Sequence, residues 1–216
     1  MTGVRGGARG SFPSPGPLDM VSRAMPVSTF TFQVELQNNY RSVVRRKVVM
    51  GRTEYESDEH VLLKFLAWCL FYHPRLLVEK KMDGDFEPDL ILQDYDMAVL
   101  RWIECGKVSI NKLDKLTRRY PVARFYVLLA GRRDLEMLGK QIAKKVERSF
   151  KIRLACFKEN ALVPTLLPAL AGMNEVWCNV SFPEGVGDAV ENGLVEMEIT
   201  LNGAWAHSAL EVRGVG

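Results

Sequence analysis

The stretch from Val61 to Phe71, VLLKFLAWCLF, constrains this chain most. It is apolar nearly all round, interrupted only by Lys64. A helix of that kind has no face for water and must lie at the centre of its domain. Ser57 is placed to cap it, and Asp58 and Glu59 fall in the first turn, where carboxylates complement the helix dipole. Pro74 ends it. Strands must therefore be arranged around this helix.

Candidate strands lie on both sides of it in the chain. Thr29–Leu36 alternates cleanly, as a half-buried strand does. Arg41–Met50 reads as a second, markedly basic strand. Leu76–Lys81 is a third, followed by a turn at 82–85. Val122–Ala130 is almost continuously apolar, as expected of a central strand covered on both faces. It lies between two predicted helices, Ser109–Tyr120 and Leu135–Phe150, and Ile152–Phe157 follows as another strand. That alternation argues for βαβ connections. Prolines 164 and 168 leave at most a short helix in Leu162–Leu170. Glu175–Phe182 alternates as a strand. Leu194–Leu201, the Asn202–Gly203 turn and Ala204–Ser208 form the clearest hairpin, after which the terminal residues are expected to fray.

The residues with the most chemical promise lie between the central helix and the apolar strand. Glu87–Gln93 and Val99–Lys107 read as two short strands joined by the polar turn Asp94–Asp96. Pro88 cannot donate to a ladder and belongs at a strand entrance or bulge, which puts Asp89 at a bend. An even number of unpaired residues puts Asp89 and Glu104 on one face, as diagonal neighbours roughly 7–8 Å apart. An odd number puts them on opposite faces, because side chains alternate with period two. The plain alternative is that both acids cap turns and pair with Arg101 or nearby lysines. A calcium loop through Asp83, Asp85, Glu87 and Asp89 lacks the helix-loop-helix spacing and terminal glutamate it needs.

Three segments together carry a family resemblance. They are Asp58–Trp68 on the helix, Glu87-Pro88-Asp89, and Trp102-Ile103-Glu104-Cys105-Gly106. Their order resembles the PD-(D/E)XK nuclease-like superfamily, and within it the YaeQ family, over about 29–211. The resemblance implies an α/β (α+β) restriction-endonuclease-like fold. Its αβββαβ core would carry a mixed sheet, with strands added from both ends. It also implies a Mg²⁺ ion held by Asp89 and Glu104, with Glu59 as an outer partner, and DNA or RNA as substrate. In that superfamily a lysine two residues after the second acid assists attack. Here that position is Gly106, so Lys107, or Lys112 or Lys115 on the next helix, would have to serve. The alternative function is a weakened nuclease fold that binds nucleic acid or protein. Its basic groove would draw on Arg41–Lys47, Lys112–Arg119 and Arg132–Lys145.

Composition narrows the rest. The 216 residues are 47% hydrophobic and 25% charged, enough for a sizeable core in one domain over 27–213. A net charge of +3 is too small to require a nucleic-acid partner. No apolar run approaches the ~20 residues that span a bilayer. Cys69, Cys105, Cys156 and Cys178 show no paired spacing, so a reducing, cytoplasmic setting is expected. Residues 1–26, rich in Gly, Ser, Pro and Arg, are expected to be disordered. Met25 is an alternative start, and Arg5, Arg9 and Arg23 are the elements of an alternative basic arm. His60 and His73 lack partner spacing and are assigned structural or surface roles. No Ser, His or Cys constellation and no glycine-rich phosphate loop is present.

Overall fold

The computed structural model describes residues 26–82, 86–183 and 190–215. The expectations for 1–25 and for the turn residues 83–85 lie outside that range. The described elements are strands β1 (Ser28–Asn38) and β2 (Ser42–Arg52), helix α1 (Asp58–Leu70), then β3 (Leu76–Val78), β4 (Leu90–Gln93) and β5 (Val99–Cys105). Next come α2 (Ile110–Arg119), β6 (Arg124–Leu129), α3 (Arg132–Lys145), β7 (Ile152–Phe157), α4 (Leu162–Leu166), β8 (Met173–Ser181), β9 (Glu196–Leu201) and β10 (Ala204–Gly214). The ten strands form one mixed sheet in the order β2-β1-β8-β9-β10-β7-β6-β5-β4-β3. Pairs β1–β8, β5–β6 and β6–β7 are parallel, and the others are antiparallel.

The apolar helix is where its sequence requires. All ten residues from Val61 to Leu70 are buried, and Phe65 stacks on Phe32 of β1 at 3.9 Å between ring centroids. The sheet wraps α1, which packs on β2 and β8 at one side and on β4, β5 and β6 at the other. On the opposite face of β5–β7, α2 and α3 close a second core containing Trp102, Leu113, Leu116, Phe125, Val127 and Ile142. Ser57 caps α1 and Ser109 caps α2, each accepting a backbone N–H three residues on.

Four element boundaries differ from expectation. The terminal residues do not fray: β10 runs to Gly214, its first half paired with β9 and its second with β7. This one strand joins the two halves of the sheet, a long-range pairing that local alternation does not signal. The first strand of the acidic pair starts at Leu90 rather than Glu87, because Pro88 has no N–H to offer a partner strand. α3 ends at Lys145 because Val146 turns extended and buries its side chain. β3 stops at Val78 because Glu79 takes a positive φ of 49°. That conformation is uncommon for a non-glycine residue, and it aims the Glu79 carboxylate at the central helix.

Its target is Lys64, whose side chain is 1% exposed. The Lys64 ammonium donates to Glu79 Oε1 at 2.5 Å, Glu56 Oε1 at 3.0 Å and the Gly51 carbonyl at 2.9 Å. Glu79 Oε2 accepts from the Gly51 N–H at 3.1 Å. The end of β2 and the segment after β3, opposite edges of the sheet, thus meet on one buried cation. Burial works against the Lys64 charge, but the Glu79, Glu56 and Asp89 carboxylates together outweigh it and raise the pKa above the usual lysine value. Lys64→Met should cost about 3 kcal/mol or more, since it leaves two carboxylates without their cation. A urea midpoint within experimental error of the wild type would contradict this role for Lys64.

Candidate active site

The parallel strands β5 and β6 end side by side at Cys105 and Leu129, and the crevice beyond such carboxyl ends is where open sheets bind ligands. Here it is a cleft of about 1500 Å³. Its walls are the start of α1, the entrance to β4, the loop Gly106–Val108 and one side of α3. Gly106 leaves the sheet at φ 67°, and a Cβ there would stand 3.4 Å from His60 Nδ1. A lysine at 106 would be strained by the positive φ, a physical reason for its absence.

Sheet register brings the two acids together. β4 and β5 are antiparallel, with Leu90 opposite Ile103 and Ile91 opposite Trp102. The ladder ends at Leu90, and the two acids lie just beyond its last pair, with Asp89 near enough for its charge to act on the Glu104 carboxyl. The turn has five residues, Asp94–Ala98, between the paired Gln93 and Val99, an odd number. A bulge between Leu92 and Gln93 adds Leu100 and restores even parity.

The carboxylates have different surroundings. Asp89 Oδ2 accepts the Cys105 N–H at 2.7 Å, and Oδ1 lies 3.1 Å from His60 Nε2. That His60 nitrogen is also 3.1 Å from Glu56 Oε1. Burial disfavours the imidazolium, but hydrogen bonds to Asp89 and Glu56 win and push its pKa up to about 9. The Glu56 carboxyl lies well below the usual range despite its burial, held there by His60, the Thr53 N–H and Lys64. Glu104, 6% exposed, accepts from Trp102 Nε1 at 2.6 Å and from Lys112 Nζ at 2.8 Å. Burial and the Asp89 charge push its pKa up to about 6, against the pull of the Lys112 ammonium. Lys112 also reaches the Glu87 carbonyl at 3.3 Å.

The residues singled out from sequence are distributed as follows. Asp89, Glu104 and Lys112 converge. Glu59 and Lys107 line the cleft as exposed side chains, whereas Lys115 is exposed and stands outside it. No basic side chain of β2 or α3 lines the cleft among the described residues, so the expected three-segment basic groove is not formed there. Glu56, His60, Lys64 and Glu79 were not foreseen. The four-residue spacing of Glu56, His60 and Lys64 was the available signal, since it stacks them along one side of α1. Among the described residues, Glu56, His60 and Asp89 are the one group of three metal-ligating side chains whose ligand atoms lie within 4.8 Å of each other. Two cations, His60 and Lys64, already balance its two carboxylates.

A mixed α+β fold of ten strands and four helices, with a charged cleft at the ends of its parallel strands, defines the class structurally. The chain belongs to the YaeQ family, whose model, described as YaeQ protein, matches residues 23–181. Two solved structures are similar. The YaeQ protein from Xanthomonas axonopodis pv. citri is 19% identical with a TM-score of 0.66, covering 88% of this chain and 99% of that one. The YaeQ protein from Pseudomonas syringae is 19% identical with a TM-score of 0.65, covering 86% and 94%. At this identity the likeness is one of fold. No curated relative matches the chain. Among the described residues, no helix is long and apolar enough to cross a membrane.

The raised His60 pKa fixes a pH dependence. Stability from its ion pairs is complete below the ordinary value of 6.5 and is lost as pH rises through about 9. Urea midpoints in EDTA from pH 6 to 10 should therefore fall further for wild type than for His60→Gln. Parallel curves would contradict the imidazolium.

Proposed function

We propose that the cleft is a Mg²⁺-dependent phosphodiesterase site of the PD-(D/E)XK type, acting on DNA or RNA. The observation that carries this reading is Lys112 on Glu104, with Asp89 lining the same cleft. A lysine from the next helix stands in for the one that Gly106 cannot supply. Asp89 and Glu104 would hold the metal, and Mg²⁺ suits a site with one or two carboxylates and room for water. A Mg²⁺ held there would supply a water of lowered pKa and offset charge on the leaving oxygen. Asp89 is oriented for this by the Cys105 N–H and His60. Lys112 is a fixed positive charge beside the same point, suited to a non-bridging phosphate oxygen. Seven carboxylates line the cleft against three lysines and the His60 imidazolium. A polyanion is therefore repelled until divalent cations enter, which makes metal dependence strict.

The alternative, a weakened nuclease fold that binds without cleaving, is favoured by Gly106 at the usual lysine position. Calorimetry with Mg²⁺ and Mn²⁺, together with cleavage of labelled DNA and RNA, separates the two. Wild type should bind metal and cleave, and Asp89→Asn with Glu104→Gln should do neither. Lys112→Met should lower the cleavage rate about 100-fold, while Lys115→Met leaves it unchanged. Metal binding without cleavage would support the alternative. Metal binding that persists in the double variant would overturn the site.

A further inference from the structure

The ionic residues leave one wall of the cleft unexplained. Phe86, Val108 and Leu138 are partly exposed there, and Met137 on α3 is 49% exposed. The first three pack on the core that contains Trp102, two residues from Glu104 and on the same side of β5. Apolar surface and the Glu104–Lys112 pair therefore share one side of the sheet. Phosphate and metal need no apolar wall. A flat aromatic heterocycle joined to a phosphate needs both.

Size and charge point the same way. Small-molecule pockets are roughly 300–1,000 Å³, so this cleft has room for a longer ligand. Its excess of carboxylates disfavours a duplex, which brings two phosphate backbones, more than a single strand with its bases turned inward. The bases of a duplex are also stacked on each other and cannot offer a face to a side wall.

We infer that the wall formed by Phe86, Val108, Met137 and Leu138 receives an unstacked nucleobase, so that the substrate class is single-stranded nucleic acid. Gln141, exposed on α3 beside this wall, offers both a donor and an acceptor to the base edge. This inference rests on the phosphodiesterase reading for the position of the phosphate.

The test is fluorescence anisotropy of the full chain with labelled hexanucleotides in Ca²⁺. The probes are a single strand, the same strand with tetrahydrofuran abasic units, and the duplex. The single strand should bind about tenfold or more tighter than the abasic strand, and tighter than the duplex. Met137→Ser and Phe86→Ser should shrink the difference between normal and abasic strands, with metal binding by calorimetry unchanged. Equal affinity for normal and abasic strands, tighter duplex binding, or no binding overturns the inference. The two readings fail separately. Base-dependent binding with no cleavage in Mg²⁺ or Mn²⁺ keeps the base wall and removes the hydrolase. Cleavage without base discrimination keeps the hydrolase and removes the base wall.

Discussion

The ammonium of Lys64 is the contact on which the rest of the structure depends. It sits in an otherwise apolar helix and gathers the Gly51 carbonyl, Glu56 and Glu79. An unpaired charge in that position would be very costly, so the partners are obligatory. Glu79 meets the requirement only by adopting a positive φ, which ends β3. Gly51 meets it with its carbonyl and ties its own N–H to the same carboxylate. The two edges of a ten-stranded sheet are thereby fixed against one helix, and the first turn of that helix is fixed with them. His60 lies one turn before Lys64, so its position follows, and through His60 that of Asp89.

The site is a second consequence of the same arrangement. The β4–β5 ladder ends where the parallel strands end, and the two acids just beyond it line one cleft. α2 then starts from Ser109 and returns a lysine to the second acid. On the α1 side, Asp89 faces a histidine held as a cation by two carboxylates. On the α2 side, Glu104 is buried and shares its charge with Lys112 and the Trp102 indole. The two carboxylates therefore differ in burial and in partners. Such divergence between neighbouring acids is common where sites bind metal or move protons.

Much of this was legible from the residues alone. The buried helix, its cap at Ser57, the apolar central strand and the Asn202–Gly203 hairpin follow from local pattern, and each is present. Whether Asp89 and Glu104 share a face was left open by the residues, because the parity of the connection depends on a bulge at Leu100 that no local signal marks; both line one cleft. The parts that were missed depend on long-range contacts. β10 beyond Ser208 is ordered by β7, which lies some fifty residues earlier in the chain. Lys64 reads as a break in an apolar run until Glu79 and Gly51 are folded onto it. His60 has one partner, Glu56, four residues before it, and its other, Asp89, comes from the distant entrance to β4. Lys112 was one of three candidate lysines, and only the path of the chain from Gly106 to α2 separates it from Lys107 and Lys115.

The most direct measurement is an anomalous difference map from a crystal soaked in Mn²⁺, collected above the manganese edge. The expected result is a peak in the cleft within bonding distance of the Asp89 and Glu104 carboxylates, with Lys112 moved off Glu104. A map with no peak in the cleft, or one showing a peak bound only by residues away from Asp89 and Glu104, would contradict a metal-dependent phosphodiesterase centred on these two acids.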